Sequence, residues 1–214
     1  MPVVTIARQY GAGGEPVGQL VARELGADYV DRQIIAEVAR RLDLSDTEVE
    51  QHDEAPNSLL SRILTALGSA SIEYSTPPEV AAWNPPYADP AFDPGRAVLQ
   101  LTQEVIRETA RSGNAVIVGR GGAYILHDEP DTLHVFLYAD EAAKLAALRE
   151  SFGLEPEEAR RRMKQVDANR AAYIRQVYGH DWSHPSHYDL VLNTGRLGYE
   201  KSAAAIAAAL GRRR

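Results

Sequence analysis

Residues 8–18 read "RQYGAGGEPVG", and they follow the apolar, β-branched run "PVVTIA" at 2–7. A buried strand that breaks into a glycine-rich loop, then into the helical spacing of "PVGQLVAREL" at 16–25, is how a parallel α/β sheet begins. Pro16 suits the first helical turn, where its missing N–H costs nothing, and Gly26 suits the end of the helix. Backbone N–H groups around Gly11, Ala12, Gly13 and Gly14, with the helix start behind them, offer donors and a positive dipole end to a phosphate. Against the pattern G-x-x-x-x-G-K-[ST], however, only Gly13 matches. Arg8 stands at the first glycine, Gly14 at the lysine and Glu15 at the hydroxyl. By itself the loop fits either a phosphate cradle without its usual cation or a plain tight turn.

A dinucleotide fingerprint competes for the same residues. Gly11 and Gly13 match the first two glycines of G-x-G-x-x-G, and Asp31 follows at the spacing a ribose-binding acid needs. Pro16 at the third position blocks the close helix-to-strand contact of that motif, so an NAD-dependent oxidoreductase is the weaker reading.

Working outward, "ADYV" at 27–30 makes a second short strand ending at Asp31, residues 32–42 a helix, and Ser45 with Glu48 has the spacing of a capping box. Between Pro56 and Pro94 stand seven of the chain's twelve prolines, too many for regular structure. This stretch, bounded at 55–96, reads as an insertion or lid. Trp83 and Tyr87 point to packing, with a homodimer through the insertion as one option and a poorly ordered surface loop as the other. Helix returns at 97–111, strand at 114–119 and 132–139, helix at 141–152 and 156–177, strand at 188–194, and an alanine-rich helix closes the chain at 198–210. Alternating strands and helices of this kind give a doubly wound parallel sheet with helices on both faces, as one domain over 1–214.

Composition narrows the function. A net charge of −7 argues against nucleic-acid and anionic-membrane partners, which need a basic surface. With no cysteine there are neither disulfides nor thiolate metal sites, and the cytoplasm is the expected compartment. No apolar run is long enough for a membrane span or shaped as a signal peptide.

In such a sheet ligands bind beyond the carboxyl ends of the strands. Arg120 follows the strand at 114–119, flanked by glycines, where a guanidinium can clamp an anion or form a salt bridge. In 150–185, Glu157 and Glu158 precede Arg160, Arg161 and Arg162, a series usual for a solvated helix face. Asp167 and Arg170 lie three apart on one face of that helix, a ready pair for a base or sugar and a phosphate. Asn193 and Thr194 follow the last strand and fit a turn or helix cap. No metal-ligating set is assigned.

The segments "ARQYGAGGEPVG", "YVDRQII", "AVIVGRGGAYIL" and "VDANRAAYIRQVYGHDWSHPSHYDLVLNTGRLGYE" resemble the cytidylate kinase-like family, a branch of the P-loop nucleoside monophosphate kinases. The resemblance implies a three-layer α/β/α P-loop fold and transfer of the ATP γ-phosphoryl group to CMP, dCMP or a related acceptor, with Mg²⁺. It implies donor phosphates on Gly11, Ala12, Gly13, Gly14 and Glu15, and an acceptor site at Asp31, Arg120, Asp167 and Arg170. Arg160, Arg161 and Arg162 would belong to or adjoin the lid. The chain departs from the family at Gly14, where authentic cytidylate kinases have lysine, and at Glu15, where this branch has arginine. Arg8 and the arginines near 160 are the candidates for the missing cation, and Asp31 or water for the missing magnesium ligand. A nucleotide-binding paralogue without turnover is the alternative.

Overall fold

The computed structural model describes residues 2–31, 34, 37, 38, 41 and 94–211. The expected helix at 32–42 falls partly inside these, with positions 34, 37, 38 and 41 helical. The capping box at Ser45 and nearly all of the proline-rich stretch, with its expected subunit contact, lie outside the described residues.

Among the described residues five strands form one sheet: β1 (Val3–Arg8), β2 (Asp28–Val30), β3 (Ala115–Val118), β4 (Thr132–Tyr138) and β5 (Leu190–Asn193). Their order is β2-β3-β1-β4-β5, and every pairing is parallel. Helices connect them: α1 (Gly14–Leu25), α2 (Pro94–Ser112), α3 (Gly122–Ile125), α4 (Glu141–Phe152), α5 (Pro156–Tyr178), α6 (Thr194–Leu197) and α7 (Tyr199–Gly211). The result is the three-layer α/β/α arrangement of P-loop kinases, with β1 at the centre and its loop at the point where the strand order reverses.

Strand alternation decides which residue meets which layer. Val4 and Ile6 of β1 and Leu133, Val135 and Leu137 of β4 pack with Val17 and Val21 of α1 and Ile206 and Leu210 of α7. Val3, Ala115 and Ile117 face the other way, onto Val105 and Ile106 of α2. On that second face Thr5 and His134 form a buried hydrogen bond of 2.7 Å, and Phe136 packs against Trp182 and Tyr188.

Several boundaries differ from the sequence reading, and three of them have consequences for the site. β1 runs through Arg8, so this side chain leaves the end of a strand in the same parity as Val4 and Ile6, toward α1. α1 starts at Gly14, ahead of Pro16, because a proline is tolerated throughout a first turn and does not fix where the turn begins. β5 stops at Asn193, and Thr194 opens the one-turn helix α6, with the Asn193 side chain accepting from the Arg196 N–H as its cap. Among the described residues no helix is long and apolar enough to cross a membrane.

Candidate active site

The loop between β1 and α1 leaves its donors open. Gly13, the N-cap of α1, has φ 73° and no side chain to cap the helix. Among the described residues, the N–H groups of Gly11, Gly13, Gly14 and Glu15 donate to no other group, so this segment points unpaired donors outward. Its frame is held from outside. The Gln9 N–H reaches the Leu137 carbonyl at 2.9 Å, and the Thr194 hydroxyl donates to the Ala12 carbonyl at 2.9 Å.

The long helix α5 grips the loop's entry. The Asp167 carboxylate accepts from the Tyr10 N–H at 2.9 Å, and the Arg170 guanidinium donates to the Arg8 carbonyl at 2.9 Å. Asp167 and Arg170 are themselves 3.3 Å apart. Burial pushes the Asp167 carboxyl up, with Arg170, the Tyr10 N–H and Lys144 pulling the other way. Both residues expected to contact an acceptor therefore also shape the loop, and of the two only Arg170 lines the cavity described next.

Arg8, Arg120 and Arg170 come together at one cavity beyond the ends of β1 and β3, and each is only 3% exposed. Arg120 has φ 55°, in the left-handed region that side chains avoid, between Gly119 and Gly121 at 80° and 73°. Burial foremost, with Arg8 nearby, lowers the Arg120 guanidinium to about 10, while Asp31 and Tyr173 act in the opposite sense. Burying a guanidinium costs several kcal/mol before any pairing is counted. Three at one strand-end cavity, one of them on a strained backbone, concentrate buried positive charge at that place. The space among them is narrow, about 30 Å³, so the side chains must part to admit a phosphate.

A second opening lies on the other side of the loop. It measures about 300 Å³ and is bounded by Gly11, Ala143, Thr194, Gly195, Tyr199 and Glu200. The Tyr199 ring packs so closely on Gly13 that a Cβ there would sit 2.7 Å from its Cζ. Beside it, the Lys144 ammonium donates to the Gln9 side chain at 3.1 Å. Lys144 lies outside the family-like segments, and Gln9, Tyr199 and Glu200 lie inside them with no role of their own, because the four come from three separate elements.

Not every expected residue joins the site. Arg160 pairs with Glu141 at 2.7 Å, Arg162 with Glu158 at 2.6 Å, and Arg161 is exposed. None of the three lines either opening. Asp31 follows β2 directly and accepts from the Tyr29 hydroxyl at 3.4 Å. Among the described residues no group of three metal-ligating side chains occurs.

A parallel sheet with a glycine loop at its switch point gives the chain the three-layer fold of the P-loop kinases. The cytidylate kinase-like family model matches residues 3–196, and the chain belongs to that family. It is 27% identical over 202 residues to a cytidylate kinase of Ignicoccus hospitalis, covering 94% of each protein. A cytidylate kinase of Methanopyrus kandleri is 30% identical over 112 residues, a match spanning 49% of this chain and 58% of that protein. Among solved structures, an uncharacterized protein from Eubacterium ventriosum superposes with a TM-score of 0.68 at 18% identity over 99% of both chains. A shikimate kinase from Bacteroides thetaiotaomicron gives 0.54 at 16% identity, covering 98% of each. These two likenesses concern the fold. Membership of this family supports a nucleotide kinase in the general sense.

Proposed function

We propose that the chain transfers the γ-phosphoryl group of ATP to a nucleoside monophosphate, with CMP or dCMP as the favoured acceptor. The observation that carries this reading is the convergence of Arg8, Arg120 and Arg170 beside a loop of unpaired N–H donors. Phosphoryl transfer needs little else from a protein than positioning and positive charge around the moving group. The donor base fits the opening beside Tyr199, with its phosphates over the Gly11–Glu15 donors. The acceptor phosphate fits the side of Arg120 and Arg170. One acceptor oxygen forms a bond to the γ-phosphorus as the bond to the β–γ bridging oxygen breaks, leaving ADP.

Magnesium keeps most of its waters and takes one or two carboxylates plus phosphates. Glu15, in the first turn of α1, and Asp31, at the end of β2, are the carboxylates suited to that role. When bound with the nucleotide, the ion supplies charge neutralisation on the phosphates. The preference for a cytosine acceptor is supported by the named relatives. A reducing, nucleotide-rich cytoplasm suits the chemistry and the lack of cysteine.

Release of ADP from ATP and Mg²⁺ across a panel of nucleoside monophosphates tests the reading, with CMP or dCMP expected to be turned over fastest. No turnover of any acceptor would defeat it. Glycine at position 14 and a carboxylate at 15 favour one other reading, a nucleotide-binding protein without turnover. Calorimetric binding of ATP and CMP without ADP release would select that.

A further inference from the structure

We propose that Arg8 and Gly14 act as one unit: the loop carries its cation at its first position, and Gly14 is the opening that lets that cation in. The inference deepens the phosphoryl-transfer reading and rests on it. In the usual motif a glycine opens the loop and a lysine closes it. Here the opening residue is Arg8 and the closing one is Gly14, so the charged and the empty position have changed ends.

The two positions meet in space. A Cβ on Gly14 would lie 2.5 Å from Arg8 Cγ, 3.0 Å from its Cδ and 3.1 Å from its Nε, so the arginine stem fills the volume into which a side chain at 14 would grow. The guanidinium continues to Gly119, where a Cβ would overlap one of its terminal nitrogens and sit 3.3 Å from Cζ. Arg8 thus needs the glycine at its stem, whereas Gly119 at its head is already favoured by its own φ of 80°. Its head is buried, its Nε has no hydrogen-bond partner, and it forms no salt bridge among the described residues. A guanidinium so deprived holds an unmet demand for an anion. Arg170 fixes its origin by bonding the Arg8 carbonyl.

Direction gives the cation its role. Contact with Gly119 puts the Arg8 head on the β3 side of the loop, next to Arg120 and away from the opening at Tyr199. There it faces the transferred phosphoryl group and the acceptor, whereas the donor base and inner phosphates lie on the far side. Arg8 is then a catalytic residue whose loss lowers kcat more than it raises the KM for ATP.

The test compares the wild-type chain with Arg8→Ala, Arg8→Lys, Gly14→Lys and the double exchange Arg8→Gly with Gly14→Lys. Each is checked for cooperative melting, then for calorimetric binding of inorganic tripolyphosphate and for turnover. Arg8→Ala is expected to weaken tripolyphosphate at least about tenfold and to lower kcat about a hundredfold or more, with the KM for ATP moving less than about tenfold. Arg8→Lys retains part of both activities. Gly14→Lys alone weakens binding, because two cationic stems compete for one space, and the double exchange recovers it to within roughly threefold of wild type. Wild type that binds no tripolyphosphate, Arg8→Ala that binds it normally, or a folded double exchange no better than either single change each overturns the inference. A chain that follows the binding pattern but phosphorylates no monophosphate defeats the kinase reading and leaves the Arg8–Gly14 pair standing. Turnover that persists in Arg8→Ala does the reverse.

Discussion

Gly14→Ala is the smallest change that separates an opening built for Arg8 from a lysine position simply left empty. Gly14 has a negative φ and begins α1, so alanine suits its backbone. If the space beside it were open, the substitution would return up to about 1 kcal/mol of helix propensity. For a chain of this size that is a melting temperature higher by roughly 2–4 °C, with phosphate binding unchanged. The structure predicts the opposite sign. A methyl group 2.5 Å from Arg8 Cγ is about 1 Å too close, and Arg8 is enclosed, so the stem has to move. Overpacking of this kind costs about 1–3 kcal/mol, which at its midpoint outweighs the propensity gain by about 1 kcal/mol. The melting temperature should fall by roughly 2–4 °C, and tripolyphosphate affinity by about tenfold as the guanidinium leaves Gly119. Differential scanning calorimetry and titration calorimetry on the same preparation read both quantities. A higher melting temperature with unaltered binding would refute the packing argument.

Thr194→Val removes the hydroxyl that donates to the Ala12 carbonyl. Leaving that buried acceptor unmet costs about 1–3 kcal/mol, so the melting temperature should drop by roughly 2–10 °C and ATP should bind more weakly, while Thr194→Ser stays near wild type in both. Arg120→Lys replaces a planar fork with a point charge, and binding of the acceptor monophosphate measured by calorimetry should weaken by about tenfold with little change for ATP. His187 is held below the usual imidazole value by burial first and by His180, His184 and His127. A histidine depressed in the folded state contributes stability fully above about pH 6.5 that is lost as pH falls below it. Melting followed from pH 7.5 to 5 should show that decline, and His187→Gln should flatten it.

Much of the fold was legible because periodicity states it directly. Val4 and Ile6 alternate with Val3 and Thr5, and "AVIV" sits between two turn glycines. Arg170 was legible for a reason beyond its motif. The buried residues of α5 are Ala159, Met163, Val166, Arg170 and Ile174, so the arginine stands in the apolar stripe of its helix. Arg160, Arg161 and Arg162 lie off that stripe, and the pairing of Arg160 with Glu141 and of Arg162 with Glu158 is the solvated-face behaviour that the charge series implied. The start of α1 was misread from Pro16. Lys144 and Tyr199 were invisible because each becomes relevant only when β4 and β5 bring their following helices alongside the loop.

The loop that opened the sequence shows why a motif can fail while the chemistry survives. A motif records charge by its position along the chain, whereas a phosphate responds to charge by its position in space. Parity connects the two here. Arg8 is in step with Val4 and Ile6, the residues that face α1, so a strand that extends through position 8 must send this side chain beneath the helix start. Any side chain at position 14 would close that route. Read together, a cation at the last inward position of β1 and a glycine at the first position of α1 describe a loop with its charge present. Read singly, the glycine describes a loop with its charge lost. Gly119 differs in kind, since its own φ of 80° favours glycine whether or not the guanidinium lies beside it. Sequences that carry arginine at 8 should carry glycine at 14, and one with arginine at 8 and a bulky residue at 14 would break the dependence.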